Sequence, residues 1–546
     1  MRILLIDCLA RGSGGRKATV DVIGVGPRVI AGILEREGYS YKILTFEDFK
    51  LMPKTAKRYD ILFVSGMTVD KPAVLNSLNI WRKFNNGISV LGGPITFGLK
   101  RDRSLYSFDV LVWGEAERTL PKVLEAISNG LDYDVLSEIS GVAFKDERGK
   151  RVFNEPKPTT WISREELDNN PPSVKAVLHY DNYWALRVYV EVVRGCSNFR
   201  RPTLQLPDGK ACTKCNICSK GDLEDRLNCP VGIPPGCGYC SIPYLYGPPR
   251  SRSVDRIYEE VKKLIDLGVS RIVLSGPDIL DYGRDWIVHP KPLTDPEHPP
   301  ANINALKSLL SKLTRISEVE AGEVSILLEN IKANLVSEEV AKLLGEHLKG
   351  SPVHIGCETG CEEHALRIGR PTTPRDVIKA VEILKKYGLR PYVYFIHGLP
   401  GQNWHTVRET VKVVKRLGEI GVEKITAYRF KPLPETAFQD YPPGKPYVHD
   451  VRSKVIVDAV KEVNVKAKNM VKGKTIRCIV VRPSVRMDKD AIGYPLYHGP
   501  VVRIANGLKY VGFLVDTRIT DVLSDRVVRG DIVKVLRRVD RKSRRF

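Results

Sequence analysis

Residues 211–243 read ACTKCNICSKGDLEDRLNCPVGIPPGCGYCSIP, and shortly before them residues 186–196 read LRVYVEVVRGC. The earlier segment is an apolar strand that ends on Gly195 and Cys196. The later one gathers Cys212, Cys215, Cys218, Cys229, Cys237 and Cys240, six of the eleven cysteines in the chain. From Cys196 onward, apolar segments and helical patterns alternate. The strands are RIVLSGP, VSILLEN, PVHIGCETG, RPYVYFIHGLPG and KITAYRF, separated by helices such as VDRIYEEVKKLIDLG and PRDVIKAVEILKKYG. Six strand–helix units predict a partial or complete parallel α/β barrel over 185–440, with a cysteine-rich insertion at 197–236.

The flanks follow different rules. Over 1–152, RILLID, YKILTF, DILFVSG, ISVLGGP and DVLVWGE are near-continuous apolar strands with amphipathic helices between them. That pattern predicts a doubly wound parallel sheet whose glycine-bearing strand ends, at Gly66, Gly92 and Gly114, mark its ligand edge. Residues 153–184 are Pro-rich and irregular, which suits a linker. After a helical connector at 441–470, the short Gly-broken strands of 471–546 predict a small β-barrel with a basic tail, Arg537, Arg538, Arg541, Lys542, Arg544 and Arg545.

Composition narrows the class. The 546 residues carry 86 Lys and Arg against 64 Asp and Glu, a formal charge of +22. Such an excess favours a polyanion such as RNA. The chain shows no apolar run of membrane-spanning length and no signal-peptide plan, so the expected location is cytoplasmic, away from membranes. In that reducing compartment clustered cysteines read as metal ligands. Glutamine is scarce beside Lys, Arg and Glu (Gln205, Gln402 and Gln439 are all there is), a thermophilic trait.

Cys212-x2-Cys215-x2-Cys218 with a remote Cys229-Pro230 is the spacing of a ferredoxin-type 4Fe–4S cluster, with four-thiolate zinc as the rival. Cys196, Cys237 and Cys240 remain, and three ligands leave one iron open to a substrate or cofactor. Cys229-x7-Cys237-x2-Cys240 is the other way to draw the second set. Cys8 and Cys478 sit in apolar strands and read as core, and Cys357 and Cys361 as strand-end packing.

RGC, GCGYCSIP, SGP, GCETG and FIHGLPG together resemble the radical S-adenosylmethionine superfamily, with about forty residues between the first two cysteines in place of the common short spacing. The resemblance implies that Cys196, Cys237 and Cys240 hold a 4Fe–4S cluster and that Tyr239 flanks the adenine of S-adenosylmethionine. It implies that Ser275, Gly276 and Pro277 receive the methionyl amino group, that Glu358 meets the ribose hydroxyls, and that His397, Gly398 and the residues to Gly401 lie along the adenine. The implied chemistry is reductive cleavage of the sulfonium and hydrogen abstraction by the resulting 5′-deoxyadenosyl radical.

The N-terminal domain is similar to the cobalamin-binding domain of many such enzymes. It has no histidine before His179 to serve as a lower cobalt ligand. The C-terminal region is similar to the TRAM domain of tRNA-modifying enzymes. The whole implies methyl or methylthio transfer to RNA, most naturally tRNA, with a ferredoxin or flavodoxin as electron donor. The alternatives are a small-molecule or lipid substrate, or an RNA-binding iron–sulfur protein without turnover.

Overall fold

The structure is a computed structural model describing residues 1–9, 20–156, 161–484, 489–524 and 526–540; the basic residues Arg541, Lys542, Arg544 and Arg545 lie outside these. Two compact units divide the chain. One comprises 1–183 with 245–247 and 433–435, the other the remainder.

The first unit is built on a seven-stranded sheet: β1 (Arg2–Asp7), β2 (Ser40–Thr45), β3 (Ile61–Ser65), β4 (Ile88–Gly92), β5 (Val110–Val112), β6 (Val142–Lys145) and β7 (Arg151–Asn154), in the order β2-β1-β3-β4-β5-β6-β7. The first five are parallel, as their apolar runs predict. β6 and β7 add an antiparallel edge that the sequence reading missed. Its alternation is short and partly polar, and a hairpin edge needs no continuous apolar run. Helices α1 (Val25–Arg36), α2 (Lys71–Phe84) and α3 (Ala116–Ser128) cross between strands. Cys8 is fully buried in this core, beside Ser77. The segment after 160, read as irregular, carries the helix Arg164–Asn169, capped reciprocally by Ser163 and Glu166.

In the second unit, β8 (Arg187–Glu191), β9 (Arg271–Ser275), β10 (Ser325–Leu328), β11 (Asn330–Ile331), β12 (Pro352–Glu358), β13 (Arg390–His397) and β14 (Lys424–Arg429) are parallel to their neighbours and pair in chain order, with a break between β10 and β11. The predicted α/β barrel is therefore a partial one. Helices α4 (Val254–Asp266), α5 (Ile303–Thr314), α6 (Glu338–Leu348), α7 (Pro374–Lys386) and α8 (Trp404–Ile420) pack outside. Val188, Val190, Ile272, Leu274, Val353, Ile355, Val393, Phe395 and Ile425 are buried and face those helices.

The alternate residues face inward, and register sorts them into layers. Arg187, Arg271, Ser325, His354, Tyr392 and Lys424 form the layer at the strand beginnings. Tyr189, Val273, Leu327, Gly356, Tyr394 and Thr426 form the middle, and Glu191, Ser275, Ile396 and Tyr428 the layer at the strand ends.

After α9 (Val451–Asn469), strands β15 (Thr475–Pro483), β16 (Ala491–Pro495), β17 (Val501–Ile504), β18 (Phe513–Val522) and β19 (Val527–Arg538) close into the expected small barrel around Cys478 and its apolar neighbours. This barrel seals the strand beginnings of the partial barrel. Arg271 lies over the Tyr494 ring at 5.8 Å, Ser325 Oγ donates to the Leu496 carbonyl at 2.7 Å, and Arg477 donates to the Gly322 carbonyl at 3.0 Å. No described helix is long and apolar enough to cross a membrane.

Candidate active site at the strand ends

Cys196 follows β8, and Cys237 and Cys240 close the insertion. Backbone bonds tie the second and third: Cys240 N–H donates to the Cys237 carbonyl, and Gly238 N–H to the Ile368 carbonyl, both at 2.8 Å. Asn198 Nδ2 donates to Cys237 Sγ at 3.2 Å, and the Asn198 N–H points at Cys196 Sγ. The three thiols are close enough to perturb one another. Burial pushes Cys196 up to about 11, with Lys332 pulling it back and Cys237 adding to the rise. Burial pushes Cys240 higher still, reinforced by Cys237 and Cys196. A metal that binds these thiolates must displace protons, so its affinity rises with pH.

Cys196 stands on a buried ionic network that the sequence reading missed. Ser197 donates through N and Oγ to Asp281, at 3.2 and 2.9 Å. Lys332 Nζ reaches Ser197 Oγ at 2.8 Å, Asp281 at 2.7 Å and Asp278 at 3.0 Å, and Arg284 caps Asp281 from the other side. Burial alone would raise Asp281, but Lys332 and Arg284 hold it below the usual carboxylate range. The signal existed only as charges spread from 278 to 332, which pair through topology rather than through sequence spacing.

Cys212, Cys215, Cys218 and Cys229 come from the loop that precedes Cys237. Cys212 and Cys229 pack on a cluster of Leu204, Leu206, Ile233, Ile368, Leu399, Phe430, Ala437 and Phe438, and Tyr239 packs on the same cluster. Cys215 is exposed. Arg226 clamps the loop by donating to the carbonyls of Cys218, Ser219 and Gly221. Among the described residues only Asp295, Glu297 and His298 bring three ligand atoms within 4.8 Å of one another. The donor chemistry of both sets, thiolates at these spacings, is that of an iron–sulfur cluster, with zinc as the rival for the four-cysteine set.

The carboxylates at the strand ends have defined partners. Glu358 sits at a bulge where β12 shifts register against β13, with a left-handed φ of 64°. Arg370 donates to Glu358 Oε1 at 3.1 Å, to Tyr239 Oη at 2.6 Å and to the Gly356 carbonyl at 2.6 Å. Burial raises the Glu358 pKa and Arg370 offsets part of that rise. The proposed ribose carboxylate is thus tied, through one guanidinium, to the aromatic between two cysteines.

Ser275 Oγ donates to Glu329 Oε2 at 2.6 Å, and Gly276 N–H to the same oxygen at 3.2 Å. Glu329, in the break between β10 and β11, was not singled out from sequence; burial raises its pKa, partly offset by those two bonds. Pro277 follows in the same turn. His397 is buried, its backbone carbonyl accepting from Phe430 N–H, and Gly398 N–H donates to Gln402 Oε1 at 2.8 Å. Gly398 needs its bare Cα: a Cβ there would stand 2.8 Å from Gly444 Cα. Cys357 and Cys361 are both buried at the end of β12, as packing residues.

Residues 228–414 match the radical SAM superfamily model. The chain is 41% identical, over 98% of its length and 97% of the relative's, to an uncharacterized protein of Methanopyrus kandleri. It is 26% identical, over 58% of its length and 65% of the relative's, to a tRNA-2-methylthio-N(6)-dimethylallyladenosine synthase of Clostridium novyi, so under two thirds of that enzyme is spanned. Among solved structures it resembles the radical S-adenosylmethionine methyltransferase TsrM from Kitasatospora setae, with a TM-score of 0.55 and 15% identity, covering 80% of this chain and 75% of that one. With its partial barrel, its three gathered thiols and this match, the chain belongs to the radical S-adenosylmethionine superfamily.

Proposed function

We propose that the protein is a cytoplasmic radical S-adenosylmethionine enzyme that transfers a methyl or methylthio group to RNA, with tRNA as the favoured substrate. Its family's cofactors are a 4Fe–4S cluster and S-adenosylmethionine. Cys196, Cys237 and Cys240 would hold the cluster, which supplies one-electron reduction of the sulfonium when bound. Asn198 orients the Cys237 sulfur, and the Lys332–Asp281 network fixes the turn that presents Cys196. The Arg370 guanidinium holds Tyr239 and Glu358 in one geometry. The buried Glu329 carboxylate offers a countercharge for the methionyl ammonium, beside Ser275 and Gly276. Cys212, Cys215, Cys218 and Cys229 would hold a second cluster whose exposed Cys215 side faces a small electron donor such as a ferredoxin or flavodoxin.

The first unit supports cobalamin as a further cofactor. Its strand order is that of doubly wound sheets that bind ligands at the switch point. The backbone there is tightly drawn: Gly93 has φ 92°, and a Cβ on it would stand 2.6 Å from the Gly66 carbonyl oxygen, while a Cβ on Gly92 would meet nothing within 4 Å. A TsrM structure carries cobalamin and a 4Fe–4S cluster. With no histidine before His179, cobalamin would bind here without a DxHxxG histidine.

The RNA assignment rests on one observation, the exposed cations of the closed C-terminal barrel in a chain of charge +22. Arg482, Lys489, Arg518 and Lys534 all point to solvent from it. Changing Arg518 and Lys534 together to glutamine is expected to flatten the salt dependence of tRNA binding by about two log–log units, roughly 0.9 per lost phosphate contact. Filter binding across salt concentrations measures this, and an unchanged slope removes the barrel from the RNA interface.

Glu329→Gln tests the cofactor site. A buried carboxylate whose pKa is raised in the fold favours its protonated form, so its contribution to stability is present at low pH and lost as pH rises. Glutamine removes that loss. The variant should therefore melt no lower than wild type at pH 8, yet bind S-adenosylmethionine about 10- to 150-fold more weakly, the range of one hydrogen bond to a charged group. Calorimetric titration and a melting curve measure the two separately. Unchanged affinity would reject the ammonium contact.

A further inference from the structure

The ionic network beneath Cys196 holds more charge than a structural turn needs. Three strand ends build it: Ser197 follows β8, Asp278, Asp281 and Arg284 follow β9, and Lys332 follows β11. Ser197, Asp278, Asp281 and Arg284 are buried, and the Lys332 side chain is 13% exposed. Asp281 already fixes the turn, since it accepts from both the backbone and the hydroxyl of Ser197. Arg284 already neutralises Asp281, and it also donates to the carbonyls of Asp295 and Pro299. Lys332 is a second cation brought to a carboxylate that has one.

Holding that cation takes a second buried carboxylate. Asp278 accepts from the Lys332 backbone N–H at 2.9 Å and pairs with its ammonium at 3.0 Å. The ammonium also reaches Ser197 Oγ at 2.8 Å, on the residue next to Cys196. Burial would discharge an isolated lysine, yet Asp278, Asp281 and Cys196 all favour its charged form. At the Cys196 thiol, the pull of Lys332 outweighs the push of Asp281. Two cations and two carboxylates balance in number, while the nearer pair of charges leaves Cys196 in a positive field.

We propose that Lys332 sets how readily the site is reduced: its ammonium stabilises the negative charge that one electron from a low-potential donor adds beside Cys196. The inference rests on the assignment of Cys196, Cys237 and Cys240 as cluster ligands. The potential of a thiolate-held cluster follows its net charge, the hydrogen bonds to its sulfurs and its exposure. Asn198 supplies hydrogen bonds, from its N–H toward Cys196 and from Nδ2 to Cys237. Lys332 supplies charge. A buried cation acts more strongly than an exposed one, because little water or salt screens it.

Potentiometric titration followed by electron paramagnetic resonance tests this on protein reconstituted without oxygen and without S-adenosylmethionine. Cys215→Ala serves as the reference chain, so that the signal belongs to the inner thiols. In that chain Lys332→Gln should keep about four irons yet move the midpoint to a more negative potential. At the reference midpoint its ratio of reduced to oxidised protein should fall roughly 10-fold, the order expected for one partly screened unit charge a few ångströms away. Lys332→Gln combined with Asp278→Asn, which leaves neither carboxylate position charged and without a cation, should shift the same way. Lys332→Arg should stay close to the reference. Coinciding midpoints in all these chains would overturn the proposal. Loss of iron from both Gln chains would also overturn it, by making Lys332 a structural tether, as would a Lys332→Arg midpoint as negative as theirs. Cys196→Ala separates the premise from the inference. If that chain keeps its iron and the reference midpoint, Cys196 is not a ligand. If it loses iron while Lys332→Gln leaves the midpoint unmoved, the ligand assignment stands and the role of Lys332 falls.

Discussion

Cys237→Ala should abolish S-adenosylmethionine cleavage, whereas Cys215→Ala should leave part of it. Wild-type protein reconstituted without oxygen should hold about eight irons, the content of two cubanes, and each variant about four. The contrast follows from where the sulfurs stand. Cys237 shares its surroundings with Cys196 and Cys240 and accepts a bond from Asn198, so its loss removes one of the three proposed cluster ligands. Cys215 is exposed at the surface, while Cys212, Cys229 and Tyr239 pack on one apolar cluster. Losing the outer site should slow reduction without removing the cofactor site. Iron analysis, electron paramagnetic resonance and 5′-deoxyadenosine yield read the three quantities apart. Zinc in the outer site, or full iron in Cys215→Ala, would refute a second cluster.

Much of the candidate site was legible because its proposed ligands are close in sequence. Cys237-x2-Cys240 and the Cys212 triplet announce themselves through spacing, and Cys196 through the strand it ends. The six barrel strands were equally plain, since each is an apolar run bounded by glycine or helix. What stayed hidden is what the barrel's curvature brings together. Lys332 meets Asp278 and Asp281 from strands forty or more residues apart, and Glu329 reaches Ser275 across a strand boundary. Arg370 looks from sequence like one more helix-flanking cation, yet it is buried against Glu358 and Tyr239. Inward and outward residues alternate identically in a strand covered on both faces, so sequence alone did not separate Tyr394 from Phe395. Only register against β12 and β14 does so.

Removing residues 471–546 should do more than release RNA: it should destabilise the central unit and lower cofactor cleavage with it. Sequence alone suggests the opposite, because Cys196, Cys237, Cys240, Ser275 and Glu358 all lie outside the deleted segment. The contacts decide otherwise. Arg271 is 1% exposed and lies under Tyr494, and Ser325 is fully buried with its hydroxyl spent on the Leu496 carbonyl. Arg390 donates to the carbonyls of Tyr497 and His498, and Arg537 pairs with Glu323 at 2.7 Å. Deletion would open the lower layer to water and strip His354 and Tyr392 of the His498 ring that packs on them. Each buried donor left without its acceptor costs about 1–3 kcal/mol, a large share of the 5–15 kcal/mol that holds a typical domain together. The truncated protein should therefore melt earlier and be cut faster by protease, and its 5′-deoxyadenosine yield should fall even without RNA. The glutamine pair at Arg518 and Lys534 should change none of these, because both side chains are exposed. A truncation that melts and cleaves like full-length protein would show that the C-terminal barrel is an independent arm rather than the floor of the partial barrel.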